Sequence, residues 1–145
     1  MNSPASPQPA ARISVADFQR LLREQHPFAQ VLGIDIVDIG HGTAHAVLPA
    51  SDGHQRLGGI VAGPMLMGLA DLALYAAVVG ATGQPEAVTA SLTVNFLRKS
   101  PPGAVHAEAR LFKTGRLTAG EAMLYPEQGG DPVAHVVSTW SVPKA

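Results

Sequence analysis

Between Arg56 and Glu86 the chain carries one charged side chain, Asp71, within the run GPMLMGLADLALYAAVV at residues 63–79. Apolar residues fall on every side of this segment at helical spacing, so a helix formed here is either buried on all faces or crosses a membrane. The length is close to the roughly 20 residues that a bilayer demands. A membrane span nevertheless fits poorly. Asp71 would sit near mid-bilayer at a cost of about 2.5–3.5 kcal/mol, no Lys/Arg cluster flanks the run, and Pro64 and several glycines interrupt it. The expectation is a buried core helix and no membrane partner.

The segments on either side read as its covering. Ser14 followed by Asp17 forms a capping pattern ahead of Phe18, Leu21 and Leu22, and His26-Pro27 ends that short amphipathic helix. Residues 33–49 alternate apolar and polar around a break at Gly40–Gly42, which predicts a hairpin. After the apolar helix, VTASLTVNFLRKSPPG sets Leu92, Val94 and Phe96 against Ser91, Thr93 and Asn95, with the strand ending at the Pro101-Pro102-Gly103 turn. Val105, Ala107, Ala109 and Leu111 then alternate with His106, Glu108 and Arg110, and turns at Thr114-Gly115 and Gly129-Gly130 complete about four strands. The order predicts an α+β fold, a long central α-helix wrapped by an antiparallel β-sheet. Residues 1–12, rich in Pro, Ser and Ala, are expected to be a disordered lead-in without signal-peptide character, and 13–145 a single domain.

Composition narrows the partner. The charge is near neutral, with 10 Lys and Arg against 11 Asp and Glu, so a nucleic-acid partner is not expected. The lack of cysteine removes disulfides, thiolate metal sites and a cysteine nucleophile together, and fits a reducing compartment such as the cytoplasm. His41 and His45 lack a third ligand at suitable spacing, so no metal is expected.

Asp71 needs an explanation. With Gly63-Pro64 starting the helix, Asp71 lies about 12 Å along the axis, beyond capping reach and past the influence of the helix dipole. A partly or wholly buried carboxylate requires a partner or takes up a proton. One reading is a structural bond to Arg56, Arg98 or a strand hydroxyl. The other is a general base or nucleophile whose raised pKa suits proton transfer near neutrality. Met67 and Gly68, one turn earlier, and Tyr75, one turn later, share its face; Gly68 is expected to leave room for a substrate. The free amides at the start of the helix, Gly63 foremost, are suited to an oxyanion. A carbonyl held at Gly63 cannot reach Asp71 of the same helix. If both serve one site, two chains must meet there.

RLGGIVAGPMLMGLAD followed by VTASLTVNFLRKSPPG resembles the hotdog-fold thioesterases, specifically their PaaI-like, phenylacetyl-CoA-type group, over roughly residues 28–142. The resemblance implies a hotdog fold, sheets joined between two protomers, and hydrolysis of acyl-CoA at sites between subunits. It implies a homodimer, with further assembly into a dimer of dimers open, coenzyme A as part of the substrate and no other cofactor. Carried over by residue, Asp71 is the helix acid, Gly63 the glycine whose amide polarises the thioester carbonyl, and Thr89 the hydroxyl that positions water or the carboxylate. Arg56 stands where the family usually has Asn or Gln. Ala62-Gly63-Pro64 replaces His-Gly-Gly, which removes a histidine and one amide proton.

Pro64, Met67, Gly68, Tyr75 and His54 are further candidates for substrate binding, His54 as a substitute for the missing histidine. Arg98-Lys99 are candidates for the phosphates of coenzyme A, or a solvated strand end. Phe96 and Trp140 read as core or pocket walls. Two alternatives to hydrolysis stand. One is a protein that holds acyl-CoA or another hydrophobic ligand without turnover, which the departures at Ala62 and Pro64 favour. The other, within the same fold, is an acyl-thioester dehydratase or hydratase, which requires a histidine beside the acid, where the helix-start region offers only His54.

Overall fold

The computed structural model describes residues 9–144; the first eight residues of the proposed lead-in, and Ala145, lie outside the described residues. Arg12 already donates its amide to the Gly80 carbonyl at 2.8 Å, so chain that is tied to the core begins ahead of residue 13. Helix α1 (Val15–Gln25) starts where Ser14 accepts from the Asp17 amide and buries Phe18 and Leu22. A second helix follows that the sequence reading did not anticipate: α2 (Pro27–Leu32), with Pro27 in its first turn and Gly33 in the left-handed conformation at its end. His26-Pro27 ends one helix and starts another.

Strands β1 (Asp35–Ile39) and β2 (Thr43–Leu48) form the expected hairpin, and α3 (Gly63–Thr82) is the apolar helix. It is followed by β3 (Val88–Phe96), β4 (Val105–Lys113), β5 (Leu117–Pro126) and β6 (Ala134–Ser141). All six strands join one antiparallel sheet in the order β1-β2-β4-β5-β6-β3. Helix α3 packs on every strand, as a helix apolar on all sides requires. Its length and composition match a membrane span, but its apolar residues from Leu66 to Ala81 are largely buried in the core.

Small side chains set how closely helix and sheet approach. Ala73, Ala76 and Ala77 of α3 are fully buried, and Ala44, Ala46, Ala107, Ala109, Ala122 and Ala134 form much of the sheet face beneath the core. At Gly80 the approach is backbone on backbone: a Cβ there would lie 2.3 Å from the Gly40 carbonyl oxygen in the β1–β2 turn. Larger Trp140, Leu48, Leu124 and Phe18 fill the remainder.

Strand β3 stops at Phe96, five residues before the predicted turn. Residues 97–100 instead run past the start of α3, where the Val61 amide donates to the Ser100 carbonyl at 3.0 Å. This places Arg98 and Lys99 next to the helix start. Strand β3 pairs only with β6, so its other side is an open sheet edge nine residues long.

Candidate functional site

Two groups of residues stand apart on α3. The first surrounds the helix start. Ala62 is the N-cap, in extended conformation and without a side-chain hydrogen bond to the helix. Its carbonyl takes the Met65 and Leu66 amides, Pro64 has no amide proton, and the Gly63 amide has no partner among the described residues. Around it lies a cavity of about 880 Å³ whose lining includes Arg56, Leu57, Gly63, Pro64, Phe96, Arg98 and Lys99. The Phe96 ring comes within 3.3 Å of where a Gly63 Cβ would sit, so glycine lets the ring close over the helix start.

This lining contains three cationic side chains and no carboxylate. Arg98 is partly engaged, donating to the Pro132 carbonyl at 2.8 Å with Asp131 at 3.8 Å. Apolar walls and a free amide complete a site suited to an anion on an apolar stem.

The second group lies two turns along. Thr89 of β3 donates to Asp71 Oδ1 at 2.6 Å. Burial pushes the Asp71 carboxyl above the usual carboxylate range, and the Thr89 hydrogen bond draws it back in part. Asp71 thus has a hydroxyl partner and no cationic one. The ion pair with Arg56 or Arg98 weighed from the sequence is absent among the described residues. The result is a half-buried carboxylate that one hydroxyl orients and whose second oxygen has no partner among the described residues.

Of the residues singled out in the sequence, the cavity brings together Arg56, Gly63, Pro64, Arg98 and Lys99, while Asp71 and Thr89 form the second group. Other candidates sit differently from expectation. The space over Gly68 is occupied: a Cβ there would meet the Leu32 side chain at 3.0 Å, so this glycine seats α2 rather than leaving a substrate void. Tyr75 is buried against Phe18 and Trp140; its hydroxyl donates to the Pro85 carbonyl and lies 3.2 Å from His26 Nε2. Burial without a cation pushes the Tyr75 phenol up to about 12. Its hydroxyl is already committed.

His54 turns back on its own loop, with Nδ1 3.2 Å from the Pro49 carbonyl, and does not line the cavity. Met67 remains partly exposed on the Asp71 face. Trp140 is core, with its indole N–H on Ser138 Oγ at 2.8 Å. Leu32 escaped notice in the sequence. The signals for it were Pro27 and Gly33, which bracket α2 as start and stop. No group of three metal-ligating side chains occurs among the described residues.

Comparison with known proteins places these features in context. Residues 58–120, which span the helix start, Asp71 and Thr89, match the family model described as "Thioesterase superfamily". A solved structure of a candidate thioesterase from Silicibacter sp. TM1040 is 32% identical, with 92% of this chain and 94% of that chain covered and a TM-score of 0.81. A candidate esterase of Saccharolobus solfataricus is 27% identical over 131 residues, 90% of this chain and 86% of the relative. The PaaI protein of the Escherichia coli phenylacetic acid degradation operon, 22% identical, shares the fold with a TM-score of 0.79 over 90% of this chain and 94% of its own.

Proposed function

Because the chain belongs to the thioesterase superfamily and has its hotdog fold, we propose that it hydrolyses acyl-CoA thioesters, aryl or medium-chain, at a site shared by two protomers. The observation that carries this reading is the division of the chemistry along α3. A free amide and three cations lie at the helix start, and a hydroxyl-oriented carboxylate lies two turns away. A carbonyl bound at Gly63 is about 12 Å from Asp71 of its own helix. A second copy that sets its Asp71 against the first copy's helix start closes that gap, twice per dimer. The open edge of β3, which carries Thr89 and ends at Phe96, supplies the surface on which two sheets join.

In the mechanism, the thioester carbonyl accepts the Gly63 N–H of one protomer, with Arg56 facing the same cavity. Negative charge on that oxygen is thereby stabilised as the tetrahedral intermediate forms. Asp71 of the other protomer takes a proton from water as the water oxygen bonds to the carbonyl carbon, or attacks that carbon itself. When water attacks, collapse breaks the C–S bond, the coenzyme A thiolate takes up the proton that Asp71 removed, and the acid product remains. When Asp71 attacks, breaking the C–S bond leaves an acyl-aspartyl anhydride, which water then hydrolyses to the acid product and free Asp71, its proton going to the departing thiolate. Arg98 and Lys99 face the phosphates. No cofactor beyond the coenzyme A of the substrate is required, and the enzyme works in the cytoplasm on this reading.

Purified protein assayed with acetyl-, octanoyl- and phenylacetyl-CoA tests the reading. Thiol release is expected, falling by about 10²–10⁴-fold in Asp71→Asn. Release that survives in that variant removes Asp71 from the mechanism, and tight binding without release makes the protein a carrier of acyl-CoA. A dehydratase has less support, because His54 is turned away from the helix start.

A further inference from the structure

Helix α2 carries the most exposed apolar side chains near Asp71, and nothing in the fold explains them. Ala29 is buried, and Leu32 lies on Gly68. Phe28 and Val31, on the adjoining face, are 70% and 76% exposed. On α3, Met67 is 40% exposed one turn ahead of Asp71 and one residue from the Leu32 contact. At 100° per residue, Pro64, Met67, Gly68 and Asp71 fall on one side of α3. Leu32 therefore links the exposed face of α2 to the side of α3 that presents the carboxylate. Phe28, Val31, Leu32 and Met67 form an apolar shelf that leads to Asp71.

The rest of the molecule contains other unusual groups. His45 and His106 on the outer sheet face are 2.9 Å apart, but the other ring nitrogen of His106 is taken up by Glu127, and no group of three side chains arranged to hold a metal occurs among the described residues. The Tyr75 hydroxyl is satisfied within the protein. The exposed Leu57 and Phe96 belong to the cavity at the helix start already described, whereas the shelf is exposed and lies one turn of α3 from Asp71.

We propose that this shelf is the acyl subsite: the apolar part of the substrate, an aromatic ring or a chain of several carbons, lies against Phe28, Val31 and Met67 while its thioester carbon reaches Asp71. The inference rests on the reading of the site as a thioesterase, and gives α2 the role of selecting the acyl group. Three features argue for a substrate there rather than solvent. The shelf carries no charged side chain, while the cavity at the helix start sets three cations among apolar walls, so the phosphate end of an acyl-CoA fits the cavity and its acyl end the shelf. Leu32 seats it over Gly68, one turn of α3 from the carboxylate. It belongs to a six-residue helix bracketed by His26-Pro27 and Gly33, whose placement on α3 depends on Gly68 remaining without a side chain.

The test compares the parent with Phe28→Ser/Val31→Ser, two exposed positions where folding is little affected. Affinity is measured for two non-hydrolysable thioether analogues of acyl-CoA, one with a phenyl-bearing acyl mimic and one with a methyl-bearing mimic. The parent is expected to prefer the phenyl analogue, and the double variant to lose that preference by about 10-fold with methyl-analogue binding changed less than about 2-fold. An unchanged preference, or equal loss for both analogues, overturns the proposal. So does a change in solution mass in the double variant, since it identifies the shelf as a contact between copies. Because the readout is binding, a parent that binds the analogues but releases no thiol overturns the hydrolytic reading and leaves the subsite standing.

Discussion

At Asp71 two influences oppose each other. Burial among the apolar residues of α3 favours the protonated carboxyl, while the Thr89 hydroxyl donates to the charged form. A general base needs the charged form to be populated at working pH and still basic enough to take a proton. Thr89→Val removes the opposing bond and leaves burial alone, so the Asp71 pKa rises further. The acidic limb of the kcat/KM profile should then move to higher pH, with most of the parent rate recovered on the alkaline side. A limb that stays in place while the rate falls at every pH assigns Thr89 to water or substrate and not to the carboxylate.

At the scale of elements, the central helix and the strand alternation were legible because each has one dominant period. Residues 63–82 are apolar on all sides, and Val105–Leu111 alternate strictly. The resemblance offered Thr89 as the hydroxyl that positions water or the carboxylate, and Thr89 bonds Asp71. Gly63 and Arg56 were expected together at the helix start and line one cavity, whereas Arg98 and Lys99 were read from their place beside the Pro-Pro-Gly turn and join that cavity because β3 stops at Phe96. What was not legible depends on tertiary contact. Nothing local reveals that Leu32 fills the space over Gly68, or that Tyr75 turns its hydroxyl to Pro85. Strand β3 could not be ended correctly from sequence because no Gly or Pro occurs between Phe96 and Pro101; the Leu97 amide instead bonds to the Val133 carbonyl at 2.9 Å, outside the ladder. The seating of α3 on the β1–β2 turn is similarly invisible in the pattern, and it yields a stability prediction. Gly80→Ala drives a Cβ to 2.3 Å from the Gly40 oxygen and 2.7 Å from the Ile39 side chain, and backbone cannot step aside as a flexible side chain does. A loss of about 1–3 kcal/mol in chemical denaturation is expected, and a neutral result shows that the turn can move away from the helix.

At the scale of the whole molecule, the open edge of β3 and the split chemistry of α3 converge on one requirement. On the proposed reading, the nine-residue edge of β3 offers its unpaired backbone groups to a second sheet, and Asp71, remote from the Gly63 amide of its own helix, works with a second helix start. A twofold dimer supplies both, and it has a consequence that a site within one chain does not. Arg56→Glu places an anion in the cavity at the helix start, and Asp71→Asn disables the carboxylate, so each homodimer has two damaged sites. Joined in one mixed dimer, the intact helix start of the Asp71→Asn chain meets the intact Asp71 of the Arg56→Glu chain. The other site collects both lesions. Co-expression with two different tags and purification over both should therefore give a mixed dimer with about half of the parent activity, from two variants that are each nearly inactive. If each site were contained within one chain, the mixed dimer would hold one lesion in each site and remain inactive; that outcome refutes the composite site even if the protein is dimeric by mass.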